Sequence, residues 1–219
     1  MSPSKGPALS KSSPKIYALH GFLGLPSDWD GFNVEAIRIR AAPSMEDWAK
    51  EFNRQVREQG GKHFLMGYSM GGRLALHALI DAPELWEKAF LLSTHPGLIE
   101  GKDARMLADE EWARRFESEP FDVVVGDWMR QPVFKGTATP VRHESDFNKK
   151  ELSSQLRQFS LAKQAKLSSD KAEWYVGERD QKLRALLPEA TIVPNAGHRI
   201  LLDNPELIKK RILAIYSLL

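Results

Sequence analysis

Residues 67–71 read Gly67-Tyr68-Ser69-Met70-Gly71, and their flanks constrain the fold more than any other feature of the chain. A short apolar run, Phe64-Leu65-Met66, precedes the first glycine, and residues 74–80, apolar on most faces, follow the last. That pattern is a strand passing through a sharp turn into a buried helix. In that setting G-x-S-x-G lifts a serine hydroxyl to the carboxyl end of a strand, and the helix N-terminus offers free N–H groups to developing negative charge. The plainer reading of the same residues is a chance strand-to-helix turn with a serine at its cap.

The rhythm extends in both directions. Periodicity predicts further strands over 16–19, 34–39, 88–93, 173–176 and 191–193, and helices over 44–58, 182–187 and 205–219. Ser44, with Asp47 three residues on, suits the N-cap of the first helix, and Trp48, Phe52 and Val56 recur at spacings of four. Strands and helices alternating in this way predict an α/β fold, a mostly parallel sheet with helices on both faces. Residues 96–169 interrupt the pattern. Apart from the brief Val123-Val124-Val125 they are helical in texture and rich in aromatics, including Trp112, Phe116 and Phe159. They predict a helical lid over the strand ends, inserted between core segments 15–95 and 170–219. Residues 1–14, rich in Ser, Pro, Gly and Lys, predict a flexible N-terminal arm without the apolar centre of a secretory signal.

Composition removes several function classes. Cysteine is absent, so a thiolate metal site, a disulfide scaffold and a cysteine nucleophile are excluded. A net charge of +2 gives no global attraction to nucleic acid. No run approaches the roughly 20 apolar residues of a membrane span. A cytoplasmic protein acting on a small molecule is the expectation.

A serine nucleophile needs a base, and the base needs an orienting acid. Gly177-Glu178-Arg179-Asp180 follows one predicted strand, and Asn195-Ala196-Gly197-His198 follows the next. Both segments should emerge at the sheet edge that carries Ser69, in the chain order Ser, Asp, His. Glu178 is the rival to Asp180. His20, His63, His77, His95 and His143 lack this placement. After the first strand, His20-Gly21-Phe22 brings the N–H of Phe22 towards that of Met70, a pair able to hold an oxyanion; a loop needing Gly21 and Gly24 for its turns would read the same way.

Arg73 is the anomaly. It stands in the first turn of an apolar helix, where the dipole disfavours a cation by roughly 0.3–1 kcal/mol, and burial disfavours it further unless it is paired. Helical side chains lean towards the N-terminus, which aims Arg73 at the Ser69 mouth. It should either bind an anion there or pair with an internal acid. The lid supplies more basic candidates in Arg114, Arg115, Arg130, Arg142 and Arg157, interleaved with Trp112, Trp128 and Phe134.

These residues resemble the α/β-hydrolase superfamily and, within it, the 2-succinyl-6-hydroxy-2,4-cyclohexadiene-1-carboxylate synthases of menaquinone biosynthesis. The likeness runs through Leu19-His20-Gly21-Phe22-Leu23-Gly24 and Gly67-Tyr68-Ser69-Met70-Gly71-Gly72-Arg73. It continues in His95-Pro96-Gly97-Leu98, Trp112-Ala113-Arg114-Arg115-Phe116, Gln131-Pro132-Val133-Phe134, Gly177-Glu178-Arg179-Asp180 and Ala196-Gly197-His198. The resemblance implies an α/β-hydrolase fold and a cofactor-free lyase that eliminates pyruvate from a small tricarboxylate. It implies a triad of Ser69, Asp180 and His198, and an oxyanion hole at Phe22 and Met70. It implies carboxylate contacts at Arg73, Arg115 and Arg142, the last with Arg157 as rival, and a pocket lined by Tyr68, Trp128 and Phe134. A carboxylesterase or thioesterase working through an acyl-serine would use the same triad, and a non-catalytic binding protein could keep the same fold.

Overall fold

A computed structural model describes residues 13–217. Most of the expected N-terminal arm, residues 1–12, lies outside the described residues, as do residues 218–219 of the last predicted helix. The chain runs β1 (Ile16–Leu19), β2 (Glu35–Ile37), α1 (Met45–Arg57), β3 (His63–Tyr68), α2 (Met70–Asp81) and β4 (Trp86–Leu92). It continues through α3 (Lys102–Ser118), α4 (Phe121–Met129), α5 (Lys149–Gln158), β5 (Ala172–Gly177), α6 (Gln181–Leu186), β6 (Thr191–Val193), α7 (Ile200–Asp203) and α8 (Pro205–Tyr216).

All pairings within the sheet are parallel, in the order β2-β1-β3-β4-β5-β6. Alternating residues of the central strands feed two cores. Tyr17, Leu19, Leu65 and Leu91 face α1 and α2, whereas Ile16, Ala18, Met66 and Phe90 face Ile208, Ile212 and Ile215 of α8. Burial on both faces explains why these strands read as continuous apolar runs. Ser44 caps α1 as expected, its side chain accepting from the N–H of Asp47.

The order reverses between β1 and β3, so a crevice opens beyond their carboxyl ends, where open α/β sheets take ligands. Helices α3, α4 and α5 lie between β4 and β5 in the chain and form their own core. There Phe116, Phe121, Val124, Trp128 and Leu156 pack with Leu23 and Phe22 from the loop after β1. Val123-Val124-Val125, the only strand-like stretch of that segment, is helical. Phe121, Val124 and Trp128 fall on one face of α4 and are buried together, and that packing overrides the β-preference of valine.

Candidate active site

The turn after β3 is set by close packing. A Cβ on Gly71 would overlap the backbone oxygens of Leu19 and His20, and one on Gly67 would meet the backbone of Gly71 and Gly72. Only hydrogen fits at both positions, so α2 begins hard against the end of β1. Ser69 between them has φ 52° and ψ −112°, a conformation that costs a side-chain-bearing residue of order 1–3 kcal/mol. Its hydroxyl makes no cap bond to α2 and is turned instead towards the sheet edge.

There it meets His198. The Nε2 of His198 lies 3.2 Å from Ser69 Oγ, and the Nδ1 lies 2.8 Å from Asp180 Oδ2. A carboxylate only accepts, so Nδ1–H donates to Asp180, and Nε2 is left as the acceptor facing the serine. Asp180 ends the loop after β5 and caps α6, its Oδ1 accepting from Leu183 N–H at 3.2 Å. Burial alone would push its carboxyl up; the hydrogen bond and charge of His198, then the Leu183 N–H and the charge of Lys182, outweigh burial and hold it below the ordinary carboxylate value. Glu178 is exposed and accepts from Asn195 N–H at 2.9 Å, which pins the loop after β6 rather than the imidazole.

The loops after β1 and β3 flank the switch point. The backbone N–H groups of Phe22 and Met70 both lie there, and neither has an acceptor among the described residues. His20 fixes the first loop: its Nδ1–H donates to Gly21 O at 2.8 Å and its Nε2 accepts from Ile39 N–H at 3.1 Å. Burial, outweighing its hydrogen bond to Gly21, drops its pKa to about 4, so it is neutral at physiological pH.

Two hollows meet at Ser69. Counting space open to solvent they enclose about 1260 and 620 Å³, and both are lined by Phe22, Ser69, Trp128 and Phe134. Arg73 lines the larger one. It is 7% exposed, and no carboxylate among the described residues lies within ion-pair distance. Its Nη1 reaches only Gln164 Oε1 and Met45 Sδ, each at 3.5 Å. The internal salt bridge that would have explained it is missing. Burial, then repulsion from Arg105, lowers its pKa to about 9 against a smaller opposing effect of Asp109.

The other predicted residues are distributed unevenly. Tyr68 and Arg142 line the smaller hollow, with Tyr68 and Phe134 each 5.7 Å from the His198 ring. Nη2 of Arg142 donates to both carboxylate oxygens of Asp28, at 2.7 and 2.8 Å, and its Nε donates to Leu23 O. Its charge is therefore already balanced. Arg157 lies away from both hollows, paired with Glu110 and Glu117. Arg115 also lies outside them, bonded to Glu119 and Asp127 and packed over Trp112, one ring behind Trp128. Sequence reasoning missed Arg105, His95 and Ser93 in the larger hollow and Arg199 in the smaller one. Ser93 has φ 45° and a buried hydroxyl without a hydrogen-bond partner among the described residues. Among the described residues no group of three or more His, Asp or Glu side chains is placed to hold a metal ion, and no helix is long and apolar enough to cross a membrane.

The alpha/beta hydrolase family matches residues 16–210. A 2-succinyl-6-hydroxy-2,4-cyclohexadiene-1-carboxylate synthase of Escherichia coli is 37% identical over 65% of this chain and 63% of its own length. A Haemophilus influenzae protein, provisionally given the same activity, is 32% identical over 90% of this chain and 95% of its own. Among solved structures, MenH from S. aureus superposes with a TM-score of 0.77 at 20% identity over 95% of both chains, a likeness of fold.

Proposed function

The chain belongs to the alpha/beta hydrolase family and is kin to the 2-succinyl-6-hydroxy-2,4-cyclohexadiene-1-carboxylate synthases within it, and from that premise we propose that it catalyses their reaction. Its substrate is then 2-succinyl-5-enolpyruvyl-6-hydroxy-3-cyclohexene-1-carboxylate, and its chemistry a lyase reaction that releases pyruvate. The observation that carries the reading is the joined Ser69-His198-Asp180 chain facing a hollow in which Arg73 is a buried cation with no carboxylate at ion-pair distance among the described residues.

Each residue then has a defined task. His198 takes the Ser69 proton, and the alkoxide removes the proton on the ring carbon alpha to the succinyl ketone. That electron pair forms a double bond in the ring, the ring π-bond shifts by one position, and the bond to the enolpyruvyl oxygen breaks. The enolpyruvyl group leaves as the enolate, takes at carbon the proton carried by His198 and becomes pyruvate, which restores the neutral imidazole. The N–H groups of Phe22 and Met70 hold the ketone oxygen while it carries enolate charge. Asp180 keeps Nδ1 of His198 protonated and steadies the imidazolium. Arg73 binds a substrate carboxylate and Arg142 stands in the smaller hollow; Arg115, outside both hollows and paired with Glu119 and Asp127, braces Trp112 behind the Trp128 wall. Residues 96–169 act as the lid that excludes water, and Tyr68, Trp128 and Phe134 form the apolar wall. The substrate is a small tricarboxylate, no nucleic acid takes part, and the enzyme works in the cytoplasm, in keeping with a chain without cysteine.

The test offers purified protein the enolpyruvyl tricarboxylate and, separately, a p-nitrophenyl ester. Pyruvate release that Ser69→Ala abolishes is the expected result. Ester turnover without pyruvate would transfer the same triad to an acyl-serine hydrolase, and neither product would leave a binding protein.

A further inference from the structure

Five cations line the two hollows, and their partners sort them. Arg105 is held by Asp109 and Arg142 by Asp28, and Lys182 is exposed to water. Arg73 and Arg199 remain, both buried and both without a carboxylate at ion-pair distance among the described residues. Arg199 is 5% exposed and lines the smaller hollow, whereas Arg73 lines the larger, and Ser69 borders both. The nearby acid Asp203 is engaged elsewhere, accepting from Gly197 N–H, Ala138 N–H and Arg179.

The guanidinium of Arg199 is nonetheless fixed. It stacks 3.9 Å over the Phe134 ring, whose other neighbour is the His198 imidazole. Nη1 donates to Thr137 Oγ1 at 3.1 Å and Ala138 O at 3.0 Å, and Nη2 faces Met129 Sδ. Among the described residues the Nε N–H and one Nη2 hydrogen have no oxygen acceptor. A planar cation anchored along one side and bare along the other is shaped for a carboxylate. A neutral ligand would leave its desolvation uncompensated.

We propose that Arg199 is a carboxylate anchor, gripping one carboxylate of the substrate across Ser69 from the carboxylate held by Arg73. The proposal rests on the lyase reading, and it adds a specificity-determining residue in the second hollow. A substrate with carboxylates on separate arms of a ring spans the serine with one arm in each hollow. The group that reaches Arg199 belongs either to the enolpyruvyl arm or to the succinyl arm.

The experiment measures pyruvate release by wild type, Arg199→Gln and Arg199→Met, the last keeping an unbranched stem on Phe134. KM should rise about tenfold to a hundredfold, the share of one charge-assisted contact, while kcat changes less than about threefold. Calorimetric titration of pyruvate and of succinate on wild type and variant identifies the arm, because the variant loses whichever ligand Arg199 held. Unchanged KM in a folded variant overturns the proposal, and so does equal binding of both ligands. Wild-type protein that holds neither ligand tighter than about 10 mM overturns it too. Two unfolded variants would assign Arg199 to the fold and overturn it as well. Wild type that releases no pyruvate defeats the lyase reading alone, and the titrations still decide Arg199.

Discussion

Replacing Arg73 by methionine should make the free protein more stable and a poorer enzyme. Burial, aided by Arg105, lowers its pKa from the ordinary arginine value to about 9. A base whose folded pKa is depressed is more easily charged in the unfolded chain, so the cation opposes folding. That penalty is full below about pH 9 and fades as pH climbs from there towards the ordinary arginine value. At about 1.4 kcal/mol per pH unit it amounts to several kcal/mol. The contacts with Gln164 Oε1 and Met45 Sδ, both 3.5 Å, return little of it. Methionine keeps the packing of the stem, removes the charge, and leaves Gln164 short of one donor, a loss of about 1 kcal/mol. A net gain of about 1–3 kcal/mol lies within the range seen when buried charges give way to apolar side chains. For a chain of this length that raises Tm by roughly 2–10 °C. The same variant forfeits about 1.5–3 kcal/mol of carboxylate contact, a fall in kcat/KM of about tenfold to 150-fold. Calorimetric melting beside pyruvate-release kinetics reads both. A Tm that drops together with activity would show that the cation stabilises the empty fold, and the anion-site argument for Arg73 would go with it.

Asp180→Asn should lower kcat roughly ten-thousandfold by presenting the wrong imidazole tautomer to Ser69, with little change in Tm if Oδ1 still caps Leu183; a kcat within tenfold of wild type would remove Asp180 from the triad. Acid should weaken the fold through His20 and His95, whose pKa values fall from 6.5 to about 4, in each case chiefly by burial. Both take up protons more readily when unfolded, so their contribution is whole above 6.5 and is lost as pH falls towards 4. At about 1.4 kcal/mol per pH unit His20 supplies up to about 3 kcal/mol of it, and urea midpoints that stay flat between these limits would contradict the buried neutral state. Gly71→Ala should destabilise by about 1–3 kcal/mol or more, since the new methyl meets the backbone of Leu19 and His20, and it should cut kcat by shifting the Phe22 loop; a variant with wild-type Tm and kcat would show that this packing is not needed.

What could be read from the chain alone was whatever leaves a local trace. Ser69 is marked by a turn whose glycines answer to neighbours a few residues away or at the adjoining strand end, and Asp180 and His198 by their positions just after strands. Arg73 was legible because its oddity is local too, a cation in the first turn of an apolar helix. Val123-Val124-Val125 stood apart from a segment otherwise helical in texture because three β-branched residues look the same whether a sheet or Phe121 and Trp128 buries them. The arginines divide on a property with no local trace at all. Arg142 finds Asp28 114 residues away, and Arg157 finds Glu110 47 residues away. Arg199 sits directly after His198, yet nothing in the adjoining residues says that its guanidinium lies on Phe134 with no acid in reach. Whether a cation is spent or available depends on which acids the tertiary fold brings to it, so anion recognition had to wait for coordinates while the nucleophile did not. For the same reason a substrate-binding arginine carried over by motif position alone is insecure: Arg115 matches by position and is bonded to Glu119 and Asp127, whereas Arg199, marked by no motif, is left like Arg73 without a carboxylate at ion-pair distance among the described residues.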